Sequence, residues 1–270
     1  MRSDTTRQSH KNGRRQGRNR PNAARLQQDA ERRPLSRGEV GFLWWFIQGS
    51  IMDSDVRWAL RYGWGLCPRH TLAWLTVESA FRHARLHGPA LLYDDLMRRA
   101  VQALELSGPW RTPRLARRLR ATGPCHLCAL GFGPASSGFV SNERLRTARD
   151  VNPFRLFMRE CGAAWAPWVC GRCVDRDTPV RCRPHLIADI DRGADLDIAA
   201  HRALVETLSR QISRYHDSFI WERHGTDTVE DRAALVGAAG WCAGWRALLE
   251  LASNRDTADM FEREPKGRAS

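Results

Sequence analysis

The 270-residue sequence has no apolar segment long enough to cross a bilayer. Its most apolar stretch, GFLWWFIQGSIM at 41–52, has twelve residues, whereas a membrane-spanning helix needs about 20. The stretch follows two arginines, as in a twin-arginine export signal, but glycine interrupts it and a small-residue cleavage site is missing. We therefore expect a cytoplasmic protein without a membrane span, in a compartment that keeps thiols reduced.

Lysine is nearly absent, because Lys11 and Lys266 are the only two, and arginine carries the rest of the positive charge. The net charge of +13 arises in the first 122 residues, since the remainder is balanced. This arginine bias fits a GC-rich genome as well as phosphate binding, and both interpretations stay open. Residues 1–38 also have few large apolar side chains, which predicts a disordered basic tail. Such a tail either contacts nucleic acid or an acidic surface, or only aids solubility.

Alternating strand patterns are absent except near 178–181, whereas helical periodicity and capping residues recur along the chain. The sequence therefore predicts a mainly α-helical protein of one large or two modest domains. The last two predicted helices are expected to form an antiparallel hairpin, and the residues after 253 to fray. The predicted helices cover 39–50, 55–63, 70–88, 89–108, 112–121, 152–162, 194–225 and 227–252.

Complete signatures of metalloenzymes are missing. The segment PCHLC at 124–128 matches half of the zinc-deaminase signature, but no histidine in the chain is followed two positions later by glutamate. His83 and His87 are four residues apart, yet residue 84 is alanine rather than the glutamate of a metalloprotease, so we interpret both as surface histidines. WVCGRC at 168–173 resembles a dithiol oxidoreductase site, but a turn rather than a helix follows it. We expect no catalytic residue.

Eight cysteines are present, and six of them form short pairs with two intervening residues. Two such pairs complete the four ligands of tetrahedral zinc, so four pairs make two sites with none left over, and we expect about two zinc ions. Cys161 and Cys242 remain as buried core thiols. The four pairs are Cys67/His70, Cys125/Cys128, Cys170/Cys173 and Cys182/His185.

The grouping of these pairs into sites has two solutions. In the first, Cys170/Cys173 and Cys182/His185 form a compact Cys3His knuckle, and Cys67/His70 and Cys125/Cys128 form a site that joins two distant segments. In the second, the pairs exchange partners, so that Cys125/Cys128 joins Cys182/His185. We favour the first, because an eight-residue loop with Asp175, Asp177 and Pro179 turns easily and closes at low entropic cost. A closed, Cys-rich ligand set favours a structural role over a catalytic one.

GLCPRHTLAWL at 65–75 and VRCRPHLIADI at 180–190 both begin a predicted helix with C-x-x-H, which suggests a duplicated knuckle and helical pair. Together with GSIMDSDVRWALRYGWGLCPRH, GPCHLC and RYHDSFIWERHGTDTVEDRAALVGAAGW, the chain resembles a family of bacterial proteins with repeated C-x-x-C…G-[LF]-C-x-x-H units. Members also carry an upstream C-x-x-C, which RRPLSRGEVGF lacks, so the first site takes ligands from elsewhere or has decayed. The resemblance covers roughly residues 40–250 and implies zinc and helices, without an established activity.

The segment WRTPRLARRLR at 110–120 predicts a short basic helix with Leu115 and Leu119 turned toward the core. Its arginines Arg111, Arg114, Arg117 and Arg118 are candidate phosphate contacts, although a solvated helix face explains them equally well. The tryptophans 44, 45, 58, 64, 74 and 110 mostly fall at the spacing of core residues, and we interpret them as packing side chains.

These patterns divide the chain into a basic tail 1–38, a helical half 39–122, a knuckle-and-hairpin half 123–253 and a C-terminus 254–270. The function we expect is a zinc-stabilised binding protein that contacts nucleic acid through the tail and the arginine-rich helix. A protein-interaction or adaptor module with structural zinc is the first alternative, and a dithiol or zinc-dependent enzyme is the second.

Overall fold

The computed structural model describes residues 33–81, 85–105 and 111–253, and most of them lie in α-helices. No strand occurs in these ranges, so the predicted mainly α-helical class is confirmed. Most of the predicted basic tail and the whole of 254–270 lie outside the described residues. The described helices are α1 Arg37–Phe46, α2 Ser54–Gly63, α3 Pro68–Ala80, α4 His87–Leu104, α5 Arg111–Leu119, α6 His126–Ala129, α7 Asn142–Arg149, α8 Asn152–Glu160, α9 Gly162–Trp165, α10 Arg183–Asp191, α11 Ile198–Asp217, α12 Val229–Ala243 and α13 Arg246–Ser253.

Two helices that are buried on nearly every side form the centre of the structure. Helix α3 contacts α1, α4, α7, α8, α12 and α13, while α12 contacts α3, α4 and α8–α11. A helix that is apolar all round can be stable only inside a core, which agrees with the alanine- and glycine-rich sequence of α12. Trp64 and Trp241, from opposite halves of the chain, meet with ring centroids 5.9 Å apart. The two halves therefore share one core.

Helices α11 and α12 pack against each other as predicted, and α11 also lies along α4. The predicted helix 227–252 is instead two helices, since Gly244 has a φ of +98° and ends α12. Thr228 and Asp231 form the capping box of α12, because Thr228 Oγ1 accepts from the Asp231 N–H and the Asp231 carboxylate accepts from the Thr228 N–H.

Residues 133–140 lie against the start of α1 and fix its position. Ser36 Oγ donates to the carbonyl of Gly133, and the Gly38 N–H donates to the carbonyl of Ser136. Gly38 must be glycine, because a Cβ there would lie 2.5 Å from Ser136 Oγ. The Gly- and Ser-rich sequence thus permits close backbone approach.

The tryptophans divide into two groups. Trp64 and Trp74 are fully buried, as expected of core residues. Trp45 and Trp58 are more than half exposed, so their assignment to the core was wrong. Trp110 lies outside the described residues.

Gly237 controls the approach of α12 to its neighbours. A Cβ at this position would lie 2.5 Å from Cε3 of Trp168 and 2.6 Å from Cδ2 of Leu208. We predict that Gly237→Ala lowers the free energy of unfolding by about 1–3 kcal/mol, because the added methyl overpacks the core. Urea denaturation followed by circular dichroism measures this change. Gly162→Ala is the control, since a Cβ there meets nothing within 4 Å. Equal stability of both variants would contradict the packing described for α12.

Candidate metal centres

The first cluster joins the start of α3 to the start of α6. Cys67 is the N-cap of α3 and His70 is its third residue, while Cys125 is the N-cap of α6 and Cys128 its third residue. Side chains at an N-cap and at the third helical position lie on the same side of the first turn, as in a capping box. Each two-residue gap therefore directs both potential ligands toward one point.

The ligand atoms of this cluster have the separations of a tetrahedral site. His70 Nδ1 lies 3.3 Å from the Cys67 sulfur and 3.4 Å from each of the Cys125 and Cys128 sulfurs. The Cys67 and Cys128 sulfurs are 3.9 Å apart. An ion bound at about 2.3 Å from sulfur and about 2.0 Å from nitrogen separates two sulfurs by about 3.8 Å and sulfur from nitrogen by about 3.5 Å. The cluster could therefore hold one metal ion.

The second cluster repeats this arrangement within sixteen residues. Cys170 is the N-cap of the single helical turn Gly171–Cys173, and Cys182 is the N-cap of α10, with His185 at its third position. His185 Nδ1 is 3.3, 3.4 and 3.2 Å from the sulfurs of Cys170, Cys173 and Cys182, respectively. All four ligand atoms lie within 4.8 Å of one another, so this cluster too could hold one metal ion.

The structure thus brings together the eight predicted ligands in the first of the two groupings, in which Cys170/Cys173 joins Cys182/His185. The sulfurs are not joined as disulfides, because every cysteine is free and the contacts within the clusters are near 3.8 Å. The C-x-x-C at 170–173 belongs to a four-residue cluster, which does not match the isolated dithiol of a redox site. Cys161 and Cys242 lie apart from both clusters in the core, where burial raises the pKa of each thiol to about 12.

The loop between the ligand pairs of the second cluster is tightly wound. The Gly171 N–H donates to the carbonyl of Val180 at 3.0 Å, which brings the two ends of the loop together. A Cβ on Gly171 would lie 2.6 Å from the carbonyl oxygen of Arg176, so this position requires glycine. Asp175 adopts a φ of +50°, a left-handed conformation that aspartate tolerates in turns.

Glu39 supports the first cluster from α1, and sequence patterns gave no sign of it. Its fully buried carboxylate lies 3.2 Å from His70 Nε2, on the side of the ring opposite to the three sulfurs. A carboxylate in this place fixes the orientation of a metal-binding imidazole. Arg69 donates to both carboxylate oxygens at 2.7 Å, and Ser36 N–H donates to Oε2 at 2.7 Å. Burial opposes ionisation, but the hydrogen bonds to His70 and Arg69 outweigh it and lower the pKa of Glu39 to about 2.

Both histidines contact the sulfurs of their clusters through Nδ1. Burial disfavours a charged His70, but hydrogen bonds to Cys125, Cys128 and Glu39 outweigh it and raise its pKa to about 11. Hydrogen bonds to Cys170 and Cys173 raise the pKa of His185 to about 9. Hydrogen bonds from neighbouring thiols also hold the pKa values of Cys125 and Cys170 well below the usual range. A bound cation would replace these protons, which is the exchange that metal binding requires.

The arginine-rich helix α5 is clearly amphipathic. Leu115, Ala116 and Leu119 are buried, as predicted for the leucines. Arg114, Arg117 and Arg118 are exposed on the opposite side, while the side chain of Arg111 lies outside the described residues.

Among the described ranges, no helix combines the length and apolarity needed to cross a membrane. His83 is not described, so the arrangement of His83 and His87 stays a prediction.

Comparison of the chain with protein-family models, curated proteins and solved structures finds no match. The resemblance to the bacterial C-x-x-C…C-x-x-H family therefore stays a prediction, and the two clusters are the part of it that the structure supports.

Asp189 organises the surroundings of the second cluster. It follows His185 by one helical turn, its side chain is 2% exposed, and it pairs with Arg172 at 2.9 Å, with Arg181 at 2.8 Å and with Arg192. Arg172 lies between Cys170 and Cys173, and Arg181 precedes Cys182, so one carboxylate ties both ligand pairs to α10. Burial opposes its ionisation, but the hydrogen bonds from Arg181 and Arg192 outweigh it and lower its pKa.

We predict that Asp189→Asn lowers the free energy of unfolding at neutral pH by about 1.5–3 kcal/mol, since charged hydrogen bonds are lost. Asp191→Asn is the matched control on the same helix, because Asp191 is 46% exposed and its pair with Arg120 is worth about 0–1 kcal/mol. The pKa of Asp189 is lowered on folding, so its contribution is complete above the unfolded pKa of about 3.9 and is lost progressively as the pH falls from that value through the lower pKa of the folded state. Urea denaturation from pH 7 to pH 3 checks this. A difference between wild type and D189N that grows on acidification would contradict the assignment.

Proposed function

We propose that the protein is a zinc-stabilised binding protein whose two Cys3His clusters each hold one structural zinc ion. The observation that carries this proposal is the tetrahedral convergence of three sulfurs and one imidazole nitrogen in each cluster. Three thiolates and an imidazole at tetrahedral spacing suit zinc better than the oxygen-seeking ions Mg²⁺ and Ca²⁺. Four protein ligands leave no position for a substrate water, so the clusters cross-link the fold and do not catalyse. A reducing cytoplasm suits thiolates of this kind.

The partner that we infer is nucleic acid. The support is the exposed face of α5, where Arg114, Arg117 and Arg118 lie opposite the buried side chains that anchor the helix. The positive charge of the first 122 residues would add to the attraction, since phosphate contacts and counterion release dominate such binding. An adaptor role toward proteins is the second candidate, and the specific observation that favours it is the exposed pair Ile220 and Trp221, the latter 88% exposed.

For the clusters, we predict about two zinc ions per chain, one for each four-ligand site. Cys125→Ser and Cys170→Ser each remove one ligand, so each variant should lose about one ion, and loss of both ions would mean that the sites are coupled. Metal content measured by mass spectrometry on the purified protein checks this. Cys161→Ser is the control, because Cys161 is a buried thiol outside both clusters and its variant should retain both ions. A wild-type protein without metal would contradict the proposal.

For the partner, we predict that replacing Arg114, Arg117 and Arg118 by alanine weakens binding to an oligonucleotide duplex and lowers the slope of log K against log salt by about 3, or 0.9 per lost phosphate contact. Electrophoretic mobility shifts across salt concentrations measure the slope. The matched control replaces Arg146, Arg159 and Arg246 by alanine. These arginines are also exposed, and their replacement removes the same charge. An equal effect of both triple variants would contradict a localised phosphate site. Absence of binding by the wild type at low salt would contradict the nucleic-acid proposal itself.

A further inference from the structure

Two aromatic side chains of helix α2 point away from the core. Trp58 is 55% exposed and Tyr62 is 51% exposed, and their rings stack with centroids 5.6 Å apart and an angle of 24° between the planes. The helix packs on the core through Val56 and Leu60 on its opposite side, and not through this aromatic pair. Adjacent exposed apolar side chains of this kind mark an interaction surface more often than exposed apolar residues that are scattered singly.

The end of helix α2 adjoins the end of α5. The carbonyl oxygen of Tyr62 accepts a hydrogen bond of 3.1 Å from the N–H of Thr122, which follows the end of α5 by three residues. Arg118 precedes Thr122 by four residues, a distance of at most about 14 Å even in an extended chain. The end of α2 that carries Tyr62 therefore lies close to the end of α5 that carries the exposed Arg117 and Arg118.

Further positive charge lies beneath the junction of the two helices. Arg99 donates to the carbonyl of Arg61, and Arg183 Nη1 donates to the carbonyl of Leu119 at 2.9 Å. Both guanidinium groups also contact the ring of Trp64, at 3.9 Å for Arg99 and 5.5 Å for Arg183. Burial, and after it the charges of Arg61 and Arg183, lower the pKa of Arg99. At the other end of α2, Asp53 and Asp55 are exposed and would repel phosphate.

We propose that Trp58 and Tyr62 form a base-stacking platform for single-stranded nucleic acid, whose backbone runs from the platform toward Arg117 and Arg118. This proposal rests on the nucleic-acid function proposed above and specifies its substrate class. Unpaired bases have free faces that stack on aromatic side chains, whereas duplex bases are already stacked on each other. The charge pattern favours this path for the backbone, since the acidic start of α2 repels phosphate and the arginines of α5 attract it.

The experiment uses the full-length protein as purified, with a fluorescein-labelled 20-nucleotide oligothymidine and a blunt duplex of the same length as probes. Fluorescence anisotropy measures Kd at several salt concentrations. We expect Trp58→Ala and Tyr62→Ala each to weaken binding of the single strand roughly 5- to 150-fold, the loss typical of one stacked base. The salt slope should stay unchanged because no charge is removed, and the Kd for the duplex should change little. Trp58→Phe should retain most of the affinity.

Trp221→Ala is the matched control, because Trp221 is also exposed but lies in a separate turn after α11. Its variant should bind as tightly as the wild type. Thermal unfolding of the Trp58 and Tyr62 variants verifies that exposed side chains were removed without loss of fold. If the wild type binds the single strand and the double variant W58A/Y62A binds it equally well, the assignment of a stacking platform is wrong. The proposed nucleic-acid binding through the α5 arginines would then still stand. If the wild type binds neither probe at low salt, both proposals fail.

Discussion

The convergence of Cys67, His70, Cys125 and Cys128 on one point is the constraint on which the first half of the structure depends. The two ligand pairs are separated by 55 residues, and closing such a loop costs conformational entropy that a metal bond can offset. Closure also brings residues 133–140 against the start of α1, which in turn directs Glu39 toward His70. The imidazole of His70, the carboxylate of Glu39 and the guanidinium of Arg69 then form one continuous buried chain, in which removal of the carboxylate or the guanidinium leaves an unpaired charge in the core.

The sequence predicted the ligands well because each pair is a local feature. An N-cap cysteine and a ligand three positions later converge whatever the rest of the chain does, and the eight-residue loop at the second cluster closes on itself. Glu39 and Arg69 were not predictable as a unit, since Glu39 lies 30 residues before Arg69 and reaches it only through the packing of α1 on α3. Asp189 was equally hidden, because an aspartate on a helix has no pattern that distinguishes a buried anchor from a solvated residue.

Helix α2 shows why hydrophobic periodicity separates core from surface incompletely. Val56 and Leu60 are four residues apart and buried, and Trp58 and Tyr62 are four residues apart and exposed. Both pairs satisfy the same spacing rule, so only the positions of the neighbouring helices decide which face is inside. The helices themselves were predicted more reliably than their ends, as the break at Gly244 illustrates. The clusters join distant or adjacent segments of the scaffold, while Trp58, Tyr62 and the α5 arginines lie on its surface.

X-ray absorption at the zinc K-edge of the purified protein tests the central claim most directly. Two Cys3His sites predict an average first shell of three sulfurs at about 2.3 Å and one nitrogen at about 2.0 Å per zinc. A first shell dominated by oxygen and nitrogen, or a protein that holds no zinc, would contradict the account.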